Sequence, residues 1–129
     1  MLSPDNRLKE PDLFRLAMRR GVHAGNHALV AHAVTGEDFP KESLVGFVVP
    51  KKVFKRANQR NLAKRRLRHL MRDRVEQLPA HTLLVIRVLP GAQTADYSEL
   101  QHSLDKALTR VIAKLNPESL EPIQPLEVN

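Results

Sequence analysis

At 129 residues and 42% hydrophobic composition, the chain has the size and apolar content of one globular domain, which excludes a disordered polymer. Its 21 Lys and Arg against 14 Asp and Glu give a formal charge of +7 and a pI near 10.3, so a polyanion, either nucleic acid or an anionic membrane, is the expected partner class. The lack of any cysteine removes disulfide scaffolds, thiol catalysis and cysteine zinc sites together.

Residues 1–6 lack the apolar core of a signal peptide, and a soluble, cytoplasmic protein is expected. Asp12 is placed to cap a first helix, with Leu13, Leu16, Ala17 and Arg20 at helical spacing and Gly21 as its end. Val22 to Ala24 carries a faint pattern for a short strand, and residues 28–34 carry a fuller one. Residues 35–43, with Gly36, Asp38 and Pro40, read as a loop. Leu44 to Val49 is another strand, closed by Pro50. From Asn58 to Leu78, Ala63, Leu67, Leu70, Met71, Val75 and Leu78 recur at helical spacing until Pro79 stops them.

The run Thr82 to Leu89 is apolar except for Arg87. It falls far short of the roughly 20 residues that cross a bilayer, and its Leu83 to Leu89 part suits a strand buried on both faces. After the turn at Pro90-Gly91, Asp96 and Glu99 form a capping box. Leu100, Leu104, Leu108, Val111, Ile112 and Leu115 then line one face of a last helix. The expected fold is an α/β (α+β) two-layer sandwich in one domain, residues 1–115. Residues 116–129 hold Pro117, Pro122 and Pro125 with three Glu and no base, and read as a flexible acidic tail.

Eleven of the 21 basic residues lie between Lys51 and Arg74, opposed there by Asp73 alone. A solvated helix face normally mixes signs, because stacked like charges weaken a helix and Glu–Lys pairs strengthen it. At about 100° per residue, Asn61, Lys64, Arg65, Arg68 and Arg72 form one strip beside the apolar stripe. Lys51, Lys52, Lys55 and Arg56 precede that helix, so two elements can grip one phosphate backbone. Arginine's planar fork suits bidentate phosphate contacts, and Asn61 is able to reach a base edge or a ribose 2′-hydroxyl. A membrane-surface helix would carry large apolar and aromatic residues opposite its cations. This one has no aromatic, which removes the membrane. Charge and geometry leave RNA and DNA both open.

Arg60-Asn61-Leu62-Ala63-Lys64-Arg65-Arg66-Leu67-Arg68 resembles the Arg-Asn-x-x-Lys-Arg-x-x-Arg signature of the bacterial ribonuclease P protein component. Val48-Val49-Pro50-Lys51-Lys52 is similar to that family's strand end, and Asn6-Arg7-Leu8, Phe14, Val45-Gly46 and Tyr97-Ser98-Glu99-Leu100 follow in its order. The resemblance covers about residues 5–115. It implies an α-β-β-β-α-β-α order with a left-handed crossover through the basic helix, against the usual hand.

It further implies a subunit of an RNA-based endoribonuclease that removes the 5′ leader of precursor tRNA. A partner ribonuclease P RNA would supply catalysis and hold most of the Mg²⁺, with no obligate protein partner and no catalytic residue in the protein. Carried over by residue, RNA contact falls to Lys51, Lys52, Arg60, Asn61, Lys64, Arg65 and Arg68, with Lys55, Arg56 and Arg72 added by the charge pattern. A leader cleft between the first helix and the sheet would include Phe14. Met18 and His32 stand where the family commonly has aromatics, shifting reliance toward Arg15 and Arg19. Phe47 and Val49 share a strand face that reads equally as cleft floor or core.

The six histidines look scattered, since His23 and His27 have the i, i+4 spacing without the Glu of a zinc-protease helix. No Gly-rich phosphate loop, Ser/His/Asp pattern or carboxylate pair is evident. The rival readings are a structural RNA-binding protein of ribosomal type and a DNA-binding basic helix.

Overall fold

The computed structural model describes residues 3–115; the expected acidic tail lies outside the described residues. Four strands form one mixed sheet: β1 (Val22–Gly25), β2 (Leu29–Thr35), β3 (Leu44–Val48) and β4 (Thr82–Val88), in the spatial order β1-β2-β4-β3. Neighbours β1–β2 and β2–β4 are antiparallel, and β3–β4 is parallel. A parallel pair cannot be joined by a hairpin. The chain therefore leaves β3, crosses through helix α2 (Ala57–Arg72) and re-enters the sheet as β4. Helices α1 (Pro11–Arg20) and α3 (Tyr97–Leu115) complete the expected α-β-β-β-α-β-α order.

Strand alternation divides the core. Leu29, Ala31 and Ala33 of β2, Val45 and Phe47 of β3, and Leu84, Ile86 and Val88 of β4 face one side. There they meet Leu67, Leu70 and Met71 of α2 and Leu100, Leu104, Leu108 and Val111 of α3, which form the second layer of the sandwich. Each fully buried Leu or Ile in this layer stabilises the fold by about 1.5–3 kcal/mol. On the opposite face Leu83 and Val85 of β4 pack with Leu8 and Ala17, and Leu13, Phe14, Leu16 and Met18 of α1 close over them. With both faces of β4 covered from Leu83 to Ile86, the apolar run there has its explanation. The N-terminal segment pairs with the outer edge of β3 through Leu8 N to Val45 O at 2.9 Å, which shields part of that edge.

Two expected boundaries are corrected. Helix α2 stops at Arg72 instead of running to Leu78. Arg74 Nη1 takes the Leu70 carbonyl at 2.8 Å while its Nε and Nη2 hold Asp105 of α3 at 2.5 and 3.2 Å, which turns the chain out of the helix. Val75 and Leu78 still reach the core, through a 3-10 turn at Val75–Gln77. Asp12 is not the cap of α1: Glu10 holds that position, Pro11 opens the helix, and Asp12 in the first turn pairs with Arg15. The Asp96–Glu99 box forms as read, with Glu99 N donating to Asp96 Oδ1 at 2.8 Å and Asp96 N to Glu99 Oε1 at 2.9 Å.

Candidate nucleic-acid interface

The apolar stripe of α2 settles which way its cations point. Leu67, Leu70 and Met71 are buried against the sheet, so Asn61, Arg65 and Arg72 are exposed and Lys64 and Arg68 lie half-buried along the flank. Among the described residues, the carboxylate partners in this segment are Asp73 for Arg72 and Asp105 for Arg74. Arg74, with 13% of its side chain exposed, is a structural clamp between α2 and α3. Its hydrogen bond to Asp105 holds its charge more firmly, above the usual guanidinium value. Lys64, Arg65, Arg66 and Arg68 have no such partner. The repulsion between them is thus uncompensated within the described protein.

Lys51, Lys52, Lys55 and Arg56 are exposed in the segment leading into α2. Arg60 anchors that segment: its Nη1 donates to the carbonyls of Phe54 and Lys55, each at 2.9 Å. The Gln59 side chain accepts from Arg56 N at 3.3 Å. Part of Arg60 is therefore occupied in presenting the neighbouring lysines. Phe54, between these lysines in the sequence, is half-buried against the main core.

On the other face, Phe14 packs against β3 at Gly46. A Cβ on Gly46 would stand 2.3 Å from its ring, so only glycine leaves that seat open. A concavity of about 180 Å³ runs round the β3 edge here, lined by Arg7, Phe14, Gly46, Phe47, Lys64 and Arg68 among others. The cleft aromatic and two strip cations, read from sequence as parts of separate sites, share one surface. Arg15 is exposed on the outer side of α1 and paired with Asp12. Met18 is half-buried, packed with the α1 cluster.

Phe47 and Val49 are corrected as cleft-floor residues. Both belong to the α2–α3 core, at 9% and 8% exposure, because alternation from Val45 turns them away from α1. Phe47 also borders the concavity at the β3 edge. The cleft face of the sheet carries instead Val48 of β3, Val30 and His32 of β2, Arg87 of β4 and His23 of β1. The strands 44–49 and 28–34 are so uniformly apolar that their pattern hides which residues face which side.

His23 and His32 are partners in the β1–β2 register, with ring centroids 5.8 Å apart. Burial chiefly, then the charge of Arg87, then His23, lower the pKa of His32 below the ordinary 6.5. Neither of its ring nitrogens has a hydrogen-bond partner among the described residues. Since the folded form gives up this proton more readily than the unfolded chain, unfolding takes up a proton just below pH 6.5, and stability falls as the pH drops through that range. Urea unfolding at descending pH should show this loss, and His32→Phe should reduce it.

Among the described residues no three His, Asp or Glu side chains gather as a metal cage. Among them, too, no helix is long and apolar enough to cross a membrane.

A mixed sheet backed by two helices, with unpaired cations along one of them and a half-covered second face, defines a nucleic-acid-binding α/β protein. The ribonuclease P family model matches residues 2–112. The ribonuclease P protein component of Streptomyces griseus is 47% identical over 120 residues, covering 87% of this chain and 96% of that protein. That of Streptomyces avermitilis is 48% identical over 119 residues, with the same shares. The ribonuclease P proteins of Staphylococcus aureus and Thermotoga maritima share the fold. Their TM-scores are 0.73 and 0.68 at 20% and 24% identity, over 83% and 81% of this chain and 97% and 96% of theirs. The chain belongs to the ribonuclease P protein family. As a protein component of that RNA-based endoribonuclease it works with ribonuclease P RNA, and RNA is the polyanion that its charge implies.

Proposed function

We propose that the chain binds ribonuclease P RNA through the strip Asn61, Lys64, Arg65, Arg68 and Arg72, together with Lys51, Lys52, Lys55, Arg56 and Arg60. At the same time it holds the 5′ leader of precursor tRNA between α1 and the open sheet face. The RNA performs the hydrolysis and holds the Mg²⁺, and the work proceeds in the cytoplasm. The protein's part is to bind and orient. Cations along the strip neutralise phosphates and release counterions. Phe14 offers a ring for base stacking, worth roughly 1–3 kcal/mol per base.

The observation that carries this reading is the concavity at the β3 edge, where Phe14 on the α1 side meets Lys64 and Arg68 of α2. One RNA on the strip and a single strand on the sheet face would come together there.

Reconstitution with ribonuclease P RNA is the test: added protein should restore precursor-tRNA cleavage at low Mg²⁺. In the same assay Phe14→Ala should weaken use of long-leader substrates by roughly tenfold and spare those with a single-nucleotide leader. Absence of any stimulation by the wild-type chain would refute the proposal.

A further inference from the structure

The sheet face beside α1 holds a cluster that neither the fold nor the strip accounts for. Arg87 stands within β4, opposite Val30 of β2 and Val48 of β3. Two register positions along, on the same face, lie His32 and, across from it on β1, His23. Arg87 Nε and both nitrogens of His32 are shielded from solvent and have no hydrogen-bond partner among the described residues, with His32 only 9% exposed. No carboxylate pairs with Arg87 among the described residues.

Burying polar groups without partners costs free energy, and a charged one costs most. Such an arrangement persists where a ligand supplies the missing acceptors. The sign of that ligand follows from the groups present. The guanidinium repels metal ions and attracts an anion, the imidazoles can donate to it, and half-buried Val48 next to Arg87 offers an apolar rest for a ribose or base.

We propose that Arg87, with His32 and His23 beside it, forms a phosphate subsite on the open sheet face that takes one backbone phosphodiester of single-stranded RNA, here the precursor-tRNA leader. This rests on the leader-cleft reading above and adds its anchor. Capture is also proton-linked. The titratable and charged groups facing His32 are His23 from β1 and Arg87 from β4. Helix α1 turns Arg15, Arg19 and Arg20 to solvent and pairs Asp12 with Arg15, and α3 lies behind the sheet. Burial, with Arg87 and His23 beside it and no carboxylate facing it among the described residues, makes His32 hold a proton less readily than a free imidazole, and an arriving phosphate favours its protonation.

The experiment uses the holoenzyme assembled with ribonuclease P RNA and measures Kd for precursor tRNA with a long leader and with a single-nucleotide leader. Arg87→Gln should lose about tenfold affinity, confined to the long leader, and Arg87→Lys should keep most of it. Methylphosphonate linkages placed singly along the leader should weaken the wild type at one position, and cost Arg87→Gln nothing further there. This scan on the wild type stands even if Arg87→Gln folds poorly. Long-leader affinity should rise between about pH 8 and about pH 6, and His32→Phe should flatten that rise.

A wild type that prefers long leaders but shows no sensitive linkage, or an Arg87→Gln that retains the preference, overturns the subsite while the cleft stands. A wild type that binds both leaders alike overturns the cleft reading and the subsite together.

Discussion

Replacing Arg65 and Arg68 together by alanine should lower affinity for ribonuclease P RNA by about a hundredfold at moderate salt, and reduce the slope of log K against log salt by about two. Both side chains project from α2 away from its buried stripe, and neither has a carboxylate partner among the described residues. Their removal therefore leaves no orphaned acid, and it relieves like-charge repulsion along the helix. The melting temperature should hold or rise slightly. Filter binding over a salt series, alongside thermal unfolding, separates the two effects. Unchanged affinity at physiological salt would place the RNA on another surface.

Leu67→Ala should produce the opposite signature. Leu67 is fully buried on the inner face of α2, within the core shared by the sheet, α2 and α3. Truncation leaves a cavity where the helix is pressed to the sheet, at a cost of about 2–5 kcal/mol. In a domain of about this size such a loss lowers the melting temperature by roughly 10 °C or more. RNA affinity measured below the new transition should fall modestly with its salt slope intact, because the cations remain. A slope that changed with Leu67→Ala would mean that the helix surface had rearranged. The pair of variants distinguishes what holds α2 in place from what α2 presents.

How legible the site was depended on the kind of pattern each residue belonged to. The strip on α2 was readable because eleven bases against one acid within Lys51–Arg74 is a local property, and helical spacing alone aligns Asn61, Lys64, Arg65, Arg68 and Arg72. Phe14, Met18 and His32 came from resemblance, and the structure places them around the sheet face beside α1. Phe47 and Val49 went astray because a run such as Leu44 to Val49 is apolar at nearly every position. Period-two alternation then carries no contrast. Arg87 was visible as a break in the β4 run, but nothing local says which face it takes. The end of α2 was misjudged because Val75 and Leu78 continue the helical spacing while the backbone leaves the helix.

The sequence by itself determined the number and order of elements, the apolar stripes, the capping box before α3 and the concentration of positive charge on one helix. Each follows from residues within a few turns of one another, where spacing translates directly into direction. The tertiary structure alone decided the order β1-β2-β4-β3, which sets His23 beside His32 and Arg87 two register positions along on the same face. It also brought Phe14 round the β3 edge to Lys64 and Arg68, and ended α2 through the reach of Arg74 to Asp105. These bring together residues 9 to 55 positions apart in the chain. They come into being when strands pair in one register and helices choose a face of the sheet, a choice made by the packing of the whole core.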